Sequence, residues 1–368
     1  MQEKIKPWIV WQVHEANLSG ANMAMLEYVN AMRDSYKFHV VLPHAGTMCA
    51  VLQERSIPFT VVHQYGWAGG KGNPMQQVRR FVRTYLALRA IKNLFRLLNP
   101  GFVFSNTLVP FVAAKAACAC NIPHVWFIHE FGEEDFGFSI GFGKKEKAFQ
   151  KMAKWSKLVV VNSNAVLQKF QPLLGGVQVE RVYQPVSWKP LPIEREGGKQ
   201  ARFLMFGQLA AAKGHLDVIE AVVLARKKFY AANLSLHIIG PCEDKSYLNQ
   251  LHERIKDNHL QDTVQVREGF FRKEEVMPFF EALIVASRSE AFGRVIIEAK
   301  KAGMDVIARN AGGVPELLTS PDDKAFKTID QLAEILGAYV RSEIKSFLLP
   351  YNEKEEIAHL KNLLKSLQ

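Results

Sequence analysis

The sequence predicts an α/β protein: two doubly wound parallel-sheet domains of the Rossmann type facing a central cleft. Three observations predict it. Short β-rich runs alternate with longer helical segments along nearly the whole chain, the pattern of βαβ units. At 368 residues the chain is too long for one average core, and two domains is the natural division. The alternation also stops once, around Pro185, Pro190 and Pro192, passes through the charged, glycine-containing stretch Glu194–Gln200, and resumes. That interruption is the expected linker, and it sets domains at 1–188 and 189–368.

In the first half, Trp8–Val13 is a strand followed by the turn-rich loop HEANLSGAN, and Met23–Met32 is a helix. His39–Leu42 and Phe59–Val62 are strands, then comes the glycine-rich GWAGGKGN. Val78–Leu98 is helical, with Val78, Val82 and Tyr85 on one apolar stripe and Leu88, Ile91, Phe95 and Leu98 on another. The stripes do not line up, so this helix is expected to kink or to pack on two sides. Phe102–Phe104, Val125–Ile128 and Leu158–Val161 are strands, with a helix over Val109–Cys120. In the second half the strands are Phe203–Phe206, Leu236–Ile239, Val264–Val266, Leu283–Val285 and Val306–Ala308. A last helix, about 353–367, carries Ile357, Leu360, Leu364 and Leu367 on one stripe.

Composition narrows the class. A hydrophobic share of 48% with 23% charged residues suits a globular enzyme. No run approaches the ~20 apolar residues of a membrane span, and the start, MQEKIKPWIVWQV, lacks the apolar core and cleavage site of a signal peptide. The expected location is the cytoplasm. The four cysteines show no metal spacing, and Cys118 and Cys120 on an Ala-rich helix read as core packing with reduced thiols. Charge is uneven: residues 1–188 hold 21 Lys/Arg against 11 Asp/Glu, hence +10, and residues 189–368 hold 26 against 25, hence +1. A basic half expects an anionic partner: nucleic acid, a phospholipid surface or a polyprenyl-phosphate acceptor. Arg79, Arg80, Arg83, Arg89, Lys92 and Arg96 make the helix over 78–98 either a covering helix or a lipid-docking one. No aromatic-basic motif supports nucleic acid.

The most informative segment is SRSEAFGRVIIEAKKAG, Ser287 to Gly303. Glu290 and Glu298 bracket Phe292–Gly293 and a short apolar run. Gly293 stands where a loop turns into a helix, whose start offers unpaired N–H groups and the positive end of a macrodipole to phosphate. The carboxylates can accept from sugar hydroxyls, so the pattern suits a nucleotide-sugar. Alone, it equally describes an amphipathic helix with solvated glutamates.

This segment resembles the Glu-x7-Glu motif of retaining glycosyltransferases with the GT-B fold, most closely family four. AGGVPEL from Ala311 matches the family's GG-x-P-E element, and FGQL from Phe206 with Lys213-Gly214 matches its G-R-L-x(3)-K-G phosphate loop. The family has Arg where Gln208 stands, which removes one charge from the diphosphate site. Arg294, in place of the commoner aliphatic residue, is the candidate replacement. The glycine-rich element after GGVPELL is also missing.

The resemblance implies roles. Gly207, Gln208, Lys213, Phe292, Gly293, Arg294 and Glu298 would bind the donor, with Glu298 on the ribose and Glu290 on the donor sugar. His129, at the end of the strand HVWFIH, would lie beside the transferred sugar; by itself such a His is a structural hydrogen-bonder. Ser19-Gly20 stands for the family's glycine loop near acceptor and phosphate, or is an ordinary βα turn. His14 and Glu15 share that loop. Glu130, Glu133, Glu134 and Asp135 form an acidic loop expected to be solvated, one of them available to an acceptor hydroxyl. Lys213, Glu290 and His129 are the expected catalytic groups. No cofactor and no metal are expected, since no Asp-x-Asp pair or His/Cys cluster appears. The resulting expectation is transfer of a sugar from a nucleoside-diphosphate sugar to a saccharide or polyprenyl-linked acceptor in envelope or extracellular polysaccharide synthesis. In the resembling fold the last helix crosses back onto the first domain. A nucleotide-sugar 2-epimerase of the same fold and a non-catalytic nucleotide- or partner-binding module are the alternatives. The epimerase would need acid/base carboxylates that the sequence does not place.

Overall fold

The computed structural model describes residues 6–70, 72–189, 201–229, 234–339 and 349–368. Pro190, Pro192 and the expected linker Glu194–Gln200 lie outside the described residues. The chain divides into two compact units, Met1–Pro185 with Tyr351–Gln368, and Val186–Pro350.

The first unit holds seven strands: β1 (Trp8–Gln12), β2 (Lys37–Leu42), β3 (Phe59–Val61), β4 (Phe102–Asn106), β5 (His124–Ile128), β6 (Leu158–Val161) and β7 (Gln178–Arg181). They pair in parallel in the order β3-β2-β1-β4-β5-β6-β7. Near-continuous apolar runs such as FVF and HVWFI form these strands because helices cover both faces. Trp11 centres the core, its ring 4.9 Å from those of Phe104 and Phe127. The connections leave β1 on one side to β2 and return on the other to β4. Ligands in such sheets sit outside the carboxyl ends at that switch.

The second unit repeats the scheme with β8 (Ala201–Phe206), β9 (Leu234–Gly240), β10 (Val264–Glu268), β11 (Ala282–Val285), β12 (Asp305–Arg309) and β13 (Lys324–Phe326), in the order β10-β9-β8-β11-β12-β13. All pairs are parallel, and the switch lies between β8 and β11. Val218, Ile219 and Val222 of the helix His215–Phe229 join Phe203, Leu236 and Ile284 in its core.

The edge strands β7 and β13 were not foreseen; QVER and KAF are short and only partly buried, so they carry no clear alternation. The helix expected over Val109–Cys120 begins at Val112. Pro110 disfavours helical backbone at Val109, just before it. The helix expected from Met23 begins at Gly20, capped by the Ser19 hydroxyl, which accepts from the Asn22 N–H.

Most changed is the basic helix, which runs as one element from Pro74 to Leu98 behind an Asn73–Gln76 capping box. Ala87, Ile91 and Phe95 pack inward, while Val78, Val82 and Tyr85 are exposed. The stripes disagree because only the second one packs, not because the helix kinks or is covered on both sides. Cys120, expected in the core, is exposed; all four cysteines are free.

The last helix, Glu353–Ser366, places Ile357, Leu360 and Leu364 in the first unit's core. Glu356 pairs with Arg181 at 2.7 Å and accepts the Tyr183 N–H at 2.9 Å. Among the described residues no helix is long and apolar enough to cross a membrane.

Candidate functional site

At the carboxyl end of β8 the chain turns through Gly207 and the exposed Gln208 into the short turn Ala211–Lys213. Gly214 follows with φ +73°, and a Cβ there would stand 2.3 Å from the Ala286 carbonyl oxygen. Only glycine lets this loop lie against the end of β11. The loops are tied further by the Arg288 N–H donating to the Ala212 carbonyl at 3.1 Å and the Gly313 N–H to that of Glu290 at 2.9 Å. Three stretches distant in sequence, 207–214, 286–293 and 311–317, thus meet at one switch point.

Lys213 lies 2.9 Å from Glu290 Oε2, which also accepts from the Ser287 hydroxyl at 3.1 Å. Gly293 takes φ +83° and opens the helix Arg294–Lys301, whose start has no side-chain cap. Phe292, expected to bind the donor, is buried. Glu298 is 5% exposed. It accepts from Arg294 Nε at 3.0 Å and from Lys273, which reaches it from the turn after β10. The expected residues Gly207, Gln208, Lys213, Glu290, Gly293, Arg294 and Glu298 therefore occupy neighbouring loops and one helix of a single unit.

In the first unit, His129 follows β5, and its Nε2 lies 2.9 Å from Asn106 Oδ1 at the end of β4. The Asn106 side-chain amide donates to the Ala21 carbonyl at 3.0 Å and to Asn22 Oδ1 at 3.3 Å. His129 is thereby linked to the Ser19-Gly20 helix start through two asparagines that sequence reasoning did not single out. Among the described residues a Cβ on Gly20 would meet nothing within 4 Å, so no packing among them demands glycine there. His14 pairs with Glu15 at 3.1 Å, a contact that lowers the Glu15 pKa.

The acidic loop is solvated as expected only at Glu133 and Glu134, which are exposed, whereas Asp135 is half-buried. Glu130 is buried, accepting the Leu108 N–H at 2.6 Å and the His129 N–H at 3.0 Å. Burial pushes its carboxyl up to about 7, against the pull of those hydrogen bonds and of the His14 charge. Asp135 accepts the Phe131 and Gly132 N–H groups at 2.8 and 2.7 Å. Glu133 and Glu134 pair with Lys145 and Lys169. Among the described residues no group of three or more His, Cys, Asp or Glu could hold a metal ion.

Two family models match in tandem. Residues 18–187 match Glycosyltransferase Family 4, and residues 188–345 match Glycosyl transferases group 1. The chain belongs to the GT-B glycosyltransferases. Among curated relatives, this chain is 28% identical over 147 residues to a 2-deoxystreptamine N-acetyl-D-glucosaminyltransferase of Niallia circulans, spanning 32% of this chain and 38% of that protein. It is 30% identical over 118 residues to a D-inositol 3-phosphate glycosyltransferase of Paenarthrobacter aurescens, spanning 32% of this chain and 29% of that protein. The matches thus cover about a third of each relative's length. The solved structure of Anabaena HepE in complex with UDP and glucose superposes with a TM-score of 0.75 at 18% identity, covering 98% of this chain and 100% of that one. That likeness is one of fold.

Sequence reasoning missed Lys273, Ser287, Asn22 and Asn106. Ser287 was legible as part of the glutamate segment. Lys273 was not, because nothing in FFRKEEV marks it and its partner lies 25 residues away.

Proposed function

We propose that this glycosyltransferase is a retaining enzyme that moves a sugar from a nucleoside-diphosphate sugar to a saccharide or lipid-linked acceptor, serving cell-envelope or extracellular polysaccharide synthesis. The observation that carries the reading is the arrangement at the second unit's switch point, with Lys213 against Glu290 and two cations against Glu298 around an uncapped helix start. Glu298 takes the ribose hydroxyls. Lys213, Gln208 and the N–H groups after Gly293 hold the diphosphate, as charge-assisted and helix-terminus contacts do. A phosphate oxygen reaching Lys213 competes with Glu290 for it, and the released carboxylate then accepts from the donor sugar's hydroxyls.

As the glycosidic bond breaks, charge grows on the leaving diphosphate. Lys213 and the helix start stabilise that charge more than the ground state, which is what accelerates the step. In the first unit, His129 is held by Asn106 and stands with Gly20 for the acceptor and the transferred sugar. The HepE complex makes UDP-sugars the first donors to try.

The acceptor reading extends to an anionic lipid surface at the cytoplasmic face. The helix Pro74–Leu98 holds six Lys/Arg and no Asp/Glu. Its outward side exposes Met75, Val78, Val82, Tyr85 and Leu86, with Phe81 at 75%. Cations beside exposed apolar side chains suit an interfacial helix. Two of the arginines are engaged within the unit: Arg80 donates to the Gly70 carbonyl at 2.9 Å and lies over the Phe142 ring at 4.8 Å, and Arg83 lies over the Tyr65 ring at 5.3 Å.

A thermal-shift panel of UDP-, GDP- and ADP-sugars tests the donor assignment. A donor at a hundred times its Kd stabilises by about 2.7 kcal/mol, so one nucleotide class should raise the melting temperature and be turned over when acceptor lipids are added. No response to any class would remove the donor assignment.

A further inference from the structure

Lys273 stands outside the family motifs, yet its ammonium reaches a carboxylate inside one of them. Arg294 and Glu298 are four residues apart on one helix, so their contact at 3.0 Å follows from helical spacing. Lys273 comes from a different element, the short helix Lys273–Val276 after β10, and reaches the same oxygen, Glu298 Oε1. The side chains of Lys273, Arg294 and Glu298 are 21%, 12% and 6% exposed. One cation would suffice to compensate a buried carboxylate, and desolvating a second costs free energy.

We propose that Lys273 is a positioning residue of the donor site. With Arg294 it holds Glu298 by Oε1 and so presents Oε2 to the ribose hydroxyls. This rests on the assignment of Glu298 to the ribose. Lysine suits the task because its flexible stem and compact charge reach between elements, whereas the Arg294 fork is fixed by its own helix.

The test uses the full chain and whichever of UDP, GDP or ADP it binds, titrated beside its 2′-deoxy and 3′-deoxy forms. Wild type should prefer the ribose form by roughly tenfold, the worth of hydrogen bonds to a carboxylate. Lys273→Met should bind ribose and deoxy forms within about twofold of each other. Lys273→Arg should recover most of the preference, and Lys273→Met should add no loss to Glu298→Gln. Lys273→Gln serves if the Met variant fails to fold. Wild-type discrimination retained in the Met and Gln variants overturns the proposal. So does equal weakening of ribose and deoxy forms, which would make Lys273 a phosphate ligand. A wild type that binds none of the three diphosphates removes the donor reading itself, a failure distinct from either.

Discussion

Lys213 and Gln208 occupy the same loop, yet only the lysine brings charge. Lys213→Ala should therefore lower kcat as well as raise KM, because the lost contact is to a group whose charge grows in the transition state. Gln208→Ala should cost clearly less, and steady-state kinetics on both variants compare them directly. Equal losses would move the cation elsewhere, Arg294 first. Glu130 gives a pH prediction. Its carboxyl is raised to about 7 by burial, so the folded chain keeps this proton to higher pH than the unfolded chain. Stability from this group is thus lost as pH rises from the ordinary carboxylate range towards 7. Urea midpoints at pH 5 and 7.5 should show that slope in wild type and a flatter one in Glu130→Gln. Lys213, Glu290 and Glu298 could be singled out in the sequence because they stand in the motifs that carry the family resemblance. The partners of those residues were not: Lys273 meets Glu298, and Asn106 meets His129, only once the parallel strands bring distant loops together.

Among the elements, the helix Pro74–Leu98 departs furthest from its sequence reading. Its two apolar stripes were visible, but periodicity cannot say which stripe a neighbour covers. The structure assigns the second to the core and leaves the first outward beside Arg79, Arg83 and Arg89. Vesicle sedimentation separates the contributions. Arg79→Gln with Arg89→Gln should weaken binding to anionic vesicles and reduce its steep salt dependence, since charge attraction is screened over about 8 Å at physiological salt. Phe81→Ser with Leu86→Ser should weaken binding at every salt concentration, through lost apolar burial. Undiminished sedimentation of all these variants, with transfer lost, would assign the arginines to acceptor recognition instead. The strands were legible wherever β-branched and apolar residues cluster, the edge strands β3 and β10 among them, and β7 and β13 escaped notice because QVER and KAF are short and only partly apolar.

At the scale of the whole chain, two doubly wound sheets were legible from the alternation alone, and the family from its motifs standing in family order. The final helix shows why a boundary is harder to read. Its stripe of Ile357, Leu360 and Leu364 is plain in the sequence, but the core that receives it belongs to the first unit, which ends at Pro185 in the chain before it. Leu364, fully buried, should cost about 2–5 kcal/mol when changed to Ala, seen as a lower denaturation midpoint; no change would mean that the helix contributes nothing to that core. The central claim is that the second unit holds a nucleoside diphosphate through Glu298 and its neighbours. Calorimetric titration of wild type and Glu298→Ala with the diphosphate chosen by the panel tests it most directly. The account predicts one site per chain in wild type and at least a tenfold loss in a folded Glu298→Ala variant. Undiminished binding by that variant would contradict it.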